Sequence, residues 1–315
     1  MTRTSRGHAT LLRRALLAAA PALFLSGLAR AQDAPPVSSV ESVERLRGGR
    51  LSIPVFIDGR GPFDFAVDSA ANASVIADDL ATQLALPSAG PIGMHTLIAR
   101  EIVETVSARN VRSGDLNAET VRFALAPRTG LIGADGLIGR DLLAEHRLLL
   151  NFRGGARAAI SRSRRVDDSI LDPRRPTARF QTPAEERLRG LLMIDARSRT
   201  AQAKAILDTG AEVTIINTAF ARAARASPIV LDDGSTSRTL FSPTGLSVEA
   251  RPMQLRNLHF AGIGLDYVPV LVGDFHTFDL WGLSDRPAAL LGTDVLGLFE
   301  TVIIDLKRGE LILEN

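Results

Sequence analysis

The 315-residue sequence contains no cysteine. Disulfides, thiol nucleophiles and cysteine-based zinc sites are therefore excluded, and the fold must stand without cross-links in any compartment. Histidine is scarce as well. The five histidines show no His-Glu-x-x-His or other paired ligand spacing, so neither a metal nor a cofactor is expected. Aromatic residues make up 5% of the chain, with one tryptophan and one tyrosine, which leaves the packing to aliphatic side chains. The glycine-rich stretch GLIGADGLIG (130–139) lacks the Lys-Ser/Thr of a phosphate-binding loop. A nucleophile elbow for Ser-His-Asp chemistry is also missing.

Long apolar runs are absent too. The longest, ALLAAAPALFLSGL (15–28), is short for a membrane span and is broken by Pro21. It follows Arg3, Arg6, Arg13 and Arg14 and precedes the small-x-small tripeptide at 29–31. Residues 1–31 thus read as a secretory signal peptide, and Arg13-Arg14 also permits a twin-arginine route. No cysteine follows the apolar run, so no lipid anchor is expected. The expectation is an exported protein, periplasmic or extracellular, with no stable membrane insertion after cleavage. The leader holds five arginines and no acids. Without it Lys+Arg falls from 37 to 32 against 35 Asp+Glu, a net charge of −3. That balance removes the electrostatic footprint of a nucleic-acid binder.

What the sequence does have is an internal repeat. VFIDGRGPFDFAVDSAANASVI (55–76) is echoed by MIDARSRTAQAKAILDTGAEVTII (193–216). Each copy runs from one strand-like segment through a polar turn into a second. That segment ends in an aspartate, a hydroxyl residue and small residues: Asp68-Ser69-Ala70-Ala71 and Asp208-Thr209-Gly210-Ala211. Short helical stretches follow at 77–86 and 217–226. Next come β-rich arms around a turn (95–108 and 238–250) and alternating strands (119–127 and 263–273). Then DGLIGRDLL (135–143) matches AALLGTDVL (288–296), and closing strands follow at 146–152 and 300–306. From aspartate to glycine the spacing is 71 residues in the first copy and 84 in the second, with the extra length assigned to a loop at 275–288 that holds Trp281. Trp281 is read as a packing residue that also suits the border of a cleft.

Residues 153–190 differ from both copies, with ten arginines and three prolines. They read as a solvated crossover. The expected organisation is a signal peptide (1–31), a first lobe (40–155), an Arg/Pro-rich linker (156–189) and a second lobe (190–315). Two such repeats imply lobes related by a pseudo-two-fold axis, a monomer built as an intramolecular pseudo-dimer.

The chemistry follows from the repeat. An aspartate at the end of an apolar strand is costly when ionised unless something compensates. If the pseudo-axis passes between Asp68 and Asp208, the two carboxylates face each other and share a proton. Such a pair has one member able to accept a proton and one able to donate. That suits activation of water against an amide carbonyl with protonation of the departing nitrogen. Ser69 and Thr209 are placed to tie the loops together across the axis. Small residues at Ala70 and Gly210 let backbone N–H groups approach the carboxylates. Gly139 and Gly292 let a chain pass close beneath each loop.

On the motifs ILDTGAEVTII with ALLGTDVL, and AVDSAANASVI with DGLIGRDLL, the sequence resembles the retropepsin-like aspartic proteases, in the exported bacterial form with two such domains in one chain. The resemblance covers roughly 45–155 and 190–315. It implies a mainly β, bilobal aspartic-protease-like fold, with two pseudo-symmetric retropepsin-like β-barrel lobes and short helices. It also implies catalytic aspartates at Asp68 and Asp208 and an extended peptide or protein substrate held under two flaps. By position the flaps fall near Ile98, Ala99, Arg100, Glu101 and Ile102 in the first half, and near Ser242, Pro243, Thr244, Gly245 and Leu246 in the second. Neither tip carries a tyrosine. Ala71 and Ala211 stand where pepsin-like enzymes carry a hydroxyl, so the activity optimum is expected to be less acidic than that of a digestive enzyme.

The first copy departs from the pattern at Ala70, where glycine is usual. With φ < 0 the extra methyl is nearly neutral; with φ > 0 it costs energy or moves the loop. The readings left open are an aspartic endopeptidase, a catalytically weakened or inactive peptide-binding module of the same fold, and a structural envelope protein.

Overall fold

A computed structural model describes residues 51–152, 157–164, 174, 176–181 and 190–315. The expected leader, residues 1–31, lies outside the described residues. Among the described residues no helix is long and apolar enough to cross a membrane.

The first half comprises β1 (Ser52–Ile57), β2 (Arg60–Val67), β3 (Val75–Ala77), α1 (Asp78–Gln83), β4 (Ser88–His95), β5 (Arg100–Ser113), β6 (Leu116–Ala126), β7 (Gly136–Ile138) and α2 (Arg140–Leu143). Its sheet runs β1-β2-β7-β3-β6-β5-β4, and β1 also pairs with β5, which closes six strands into a barrel. Alternation drives this. In β1 the side chains of Ile53, Val55 and Ile57 are buried, and Phe65 at the end of β2 packs against Phe123 of β6 with ring centres 5.8 Å apart.

Three strands join the halves: β8 (His146–Asn151), β9 (Arg157–Arg162) and β10 (Thr177–Gln181). The second half repeats the first with β11 (Met193–Ser198), β12 (Ala201–Leu207), β13 (Ile215–Ile216), α3 (Thr218–Ala223), β14 (Ser227–Pro228), β15 (Arg238–Phe241), β16 (Ser247–Phe260), β17 (Ile263–Val272), α4 (His276–Leu280), β18 (Ala288–Leu291), α5 (Thr293–Leu296), β19 (Thr301–Asp305) and β20 (Glu310–Glu314). Here β11-β12-β18-β13-β17-β16 closes on itself through β11–β16. The fold is thus mainly β, with two closed six-stranded barrels and only short helices.

The helices are shorter than the sequence suggests. Asn217 caps α3, accepting a hydrogen bond from Phe220 N–H at 2.9 Å, and α3 ends after six residues. The added loop of the second half contains α4, which was not anticipated. Its cap Trp281 is half-buried against a cluster that includes Phe275 and Phe278.

A five-stranded sheet, β10-β20-β19-β8-β9, binds the lobes together. At its centre β8 and β19, the closing strands of the two copies, pair antiparallel with Leu149 opposite Ile303. Leu148, Leu150, Val302 and Ile304 are fully buried there. Each such side chain contributes about 1.5–3 kcal/mol.

The crossover departs from its solvated description. Residues 157–162 and 177–181 form β9 and β10, paired to β8 and β20, and Ala158 and Ile160 are buried in the core. The physical reason is the apolar alternation at 158 and 160, hidden among arginines, which lets the segment cover an otherwise open sheet edge.

Candidate active site

In each lobe the strand order places one strand between the two that flank the aspartate loop. β7 is parallel to β2 and antiparallel to β3, and β18 bears the same relation to β12 and β13. The aspartates are anchored to that inserted strand: Asp68 N–H donates to the Ile138 carbonyl and Asp208 N–H to the Leu291 carbonyl, both at 3.0 Å. The strand leaves through a glycine pressed against the loop. A methyl on Gly139 would lie 2.8 Å from the Ala73 carbonyl group, and one on Gly292 would lie 2.9 Å from the Ala211 oxygen. Each loop arches over the glycine beneath it.

The loops clasp each other across the axis. Ser69 N–H donates to Thr209 Oγ1 at 3.0 Å, and Thr209 N–H donates to Ser69 Oγ at 3.1 Å. Each hydroxyl in turn donates to a carbonyl of the opposite lobe, Ser69 to Leu207 at 2.8 Å and Thr209 to Val67 at 2.7 Å. Both side chains are buried. Four reciprocal bonds in a dry setting fix the loops face to face, because breaking any of them strands a buried polar group.

Each carboxylate is held by its own loop. Asp68 Oδ1 accepts the N–H groups of Ala70 (2.9 Å) and Ala71 (2.7 Å), and Asp208 Oδ1 accepts those of Gly210 (2.9 Å) and Ala211 (3.1 Å). Bonds of this kind to a carboxylate are charge-assisted and orient it. The other oxygen of Asp68 faces the opposite loop, where a methyl on Gly210 would lie 2.2 Å from Oδ2. Gly210 therefore contacts both carboxylates, one through its N–H and one through its α-carbon.

Ala70 does not take a positive φ. Its methyl packs with Leu97, Leu240, Val248 and Trp281 against the apolar cluster of the second lobe. The backbone condition under which alanine is nearly neutral is met.

Beneath the loops lies a second pair of carboxylates, to which sequence reasoning gave no role. Asp141 accepts Ser74 Oγ–H at 2.7 Å and Ser74 N–H at 3.1 Å. Asp294 accepts Thr214 Oγ1–H at 2.7 Å and Thr214 N–H at 2.9 Å. Burial pushes both carboxyls above the ordinary aspartate value, against the pull of these hydrogen bonds. Their signal was present in the repeat. A hydroxyl residue lies six positions after each loop aspartate, and an aspartate lies two after each glycine.

Two hairpin turns, between β4 and β5 and between β15 and β16, carry the residues assigned by position to the flaps. In the first, the turn spans Thr96–Ala99, with Thr96 N–H donating to the Ala99 carbonyl at 2.9 Å. Ile98 and Ala99 thus lie in the turn, whereas Arg100, Glu101 and Ile102 already belong to β5. In the second, Ser242 to Leu246 form the turn, closed by Ser242 N–H to the Leu246 carbonyl at 2.8 Å. Both hairpins reach the opposite lobe. Thr244 Oγ1 donates to Glu101 Oε2, and the Pro243 carbonyl packs on Gly130. His95 Nδ1 meets His276 Nε2 at 2.8 Å. The two imidazole planes are within 8° and their centres are 5.1 Å apart, so the rings lie edge to edge. This His–His contact joins residues 181 positions apart and had no sequence signal.

A family model described as aspartyl protease matches residues 53–142 and 194–295. Among solved structures the chain is similar to a retropepsin-like aspartic protease from Rickettsia conorii, at 22% identity over 44% of this chain and 91% of that one, with a TM-score of 0.31. It is also similar to Basic 7S globulin from soybean, at 11% identity over 86% of this chain and 94% of that one, with a TM-score of 0.41. The curated proteins yield no match.

Proposed function

The chain belongs to the aspartyl protease family, and from that premise we propose that it is an aspartic endopeptidase in which Asp68 and Asp208 act as one unit. The observation that carries this reading is the reciprocal Ser69–Thr209 clasp, which holds the two aspartate loops against each other, with Gly210 in contact with both carboxylates. In the reaction one carboxylate takes a proton from water as the water oxygen bonds to the peptide carbonyl carbon. The other, protonated at the start, gives its proton to the carbonyl oxygen. The tetrahedral diol then collapses: the carboxyl that took the water proton gives it to the nitrogen as the C–N bond breaks, and the other carboxylate takes a proton from a diol hydroxyl as the new carbonyl forms, so the pair again holds one proton. An extended peptide lies between the loops and the two hairpins, and leader cleavage with export precedes its encounter.

Incubation of the chain with a peptide library, followed by mass spectrometry of the products, tests this. Internal cleavage by the wild type that disappears in both Asp68→Asn and Asp208→Asn is the expected result. Peptide binding without any cleavage by a folded wild type would favour the weakened, binding-module reading, for which the methyl at Ala70 is the specific observation.

A further inference from the structure

Ser74 and Thr214 end the two aspartate loops, and their hydrogen bonds have a fixed direction. Ser74 Oγ accepts Gly139 N–H at 3.0 Å and so sends its own proton to Asp141; Thr214 Oγ1 accepts Gly292 N–H at 3.1 Å and sends its proton to Asp294. Each of these carboxyl groups therefore receives two donors, one O–H and one N–H, from a single residue. A carboxylate, which only accepts, satisfies both.

The same carboxyl-bearing turns touch the loops closer to the chemistry. Arg140 N–H donates to the Ala71 carbonyl at 2.8 Å, and Thr293 N–H donates to the Ala211 carbonyl at 2.8 Å. The N–H groups of Ala71 and Ala211 are the ones bound to Asp68 and Asp208. One peptide bond and one hydrogen bond thus link each lower aspartate to the residue that orients the upper one.

We propose that Asp141 and Asp294 are positioning residues for peptide hydrolysis, each carboxylate fixing the aspartate loop of its own lobe through Ser74 or Thr214. This rests on the reading of Asp68 and Asp208 given above. The charged groups around Asp141 are Arg140, Glu145 and Lys307, which line one cavity with it. Lys307 is committed to Glu145 at 2.6 Å. On the loop facing Asp294 the charged residue is Glu212, whose carbonyl accepts Asp294 N–H at 3.2 Å. Burial, rather than these neighbours, is the largest influence on both carboxyls and moves their protonation toward neutral pH.

Amide hydrogen exchange of residues 68–74 and 208–214 in the whole chain at about pH 7 tests this together with steady-state kinetics. Asp141→Ala and Asp294→Ala should each raise exchange in the loop they serve by about tenfold or more, and should lose kcat by about 10²-fold with KM little changed. Asparagine can take Ser74 or Thr214 N–H on its oxygen and donate to the hydroxyl. Asp141→Asn and Asp294→Asn should therefore lie nearer the wild type than alanine does in both readouts. Alanine variants with wild-type loop exchange, or asparagine variants no better than alanine, would overturn the proposal. The exchange arm needs no turnover. A wild type that cleaves nothing, with variants that show the exchange pattern, overturns the hydrolytic reading while supporting the loop mounting.

Discussion

The α-carbon of Gly210 stands against the carboxylate of Asp68, so close that a methyl there would lie 2.2 Å from Oδ2 and 2.4 Å from Cγ. The equivalent residue of the other loop, Ala70, carries that methyl and packs against the apolar cluster of the second lobe. The two halves of the site are therefore not interchangeable, although their hydrogen bonds are.

Gly210→Ala should lower kcat/KM by about 10²-fold or more, because Asp68 is held on its other side by two N–H groups and must shift with them. Ala70→Gly should leave activity equal or raised and cost about 0.4–1 kcal/mol through the unfolded chain. Steady-state kinetics with urea unfolding of both variants checks the pair.

Thr209→Val removes a hydroxyl that accepts from Ser69 and donates to Val67. Both partners stay buried, so each stranded group should cost about 1–3 kcal/mol. Ser69→Ala should behave alike, and the double variant should cost less than the sum because the four bonds form one network. Equilibrium unfolding of the two single variants and the double variant reads this.

His276→Ala should loosen the first hairpin from the second lobe. It deletes the bond to His95 and leaves Thr244 Oγ1 donating to Glu101 Oε2 and the long Thr277 N–H contact to the Leu97 carbonyl, at 3.4 Å. Faster amide exchange confined to the Thr96–Ala99 turn is expected, with global stability changed by about 1 kcal/mol or less.

Asp141 and Asp294 also give stability a pH dependence of defined sign. Their folded values are raised above the ordinary 3.8. The folded chain therefore binds these protons more tightly than the unfolded chain does. Their contribution is fully present below the unfolded value and is lost as pH rises through the raised folded values. Urea unfolding between about pH 4 and about pH 7 should show this loss, and Asp141→Asn with Asp294→Asn should flatten it.

The repeat made the fold legible. Asp68 and Asp208 each end an apolar strand, and the glycines 71 and 84 residues later share one spacing logic, so two alike lobes could be read directly. Gly139 and Gly292 were legible for a physical reason: only a residue without a side chain fits under each loop. Asp141 and Asp294 were visible in the repeated Gly-x-Asp, yet their meaning needed partners 67 and 80 residues away. The strands at 157–162 and 177–181 were obscured because the arginines and prolines of residues 153–190 hide their short apolar alternation. The His95–His276 contact joins the two copies and could only come from folding.

The most direct test of the central claim is a double-mutant cycle on kcat/KM with Asp68→Asn, Asp208→Asn and the combined variant. Two carboxylates working as one unit predict that either substitution alone costs about 10²–10⁴-fold or more, and that the combination costs no more than the worse single. Costs that multiply, or cleavage that survives either substitution, would contradict a shared water-activating pair.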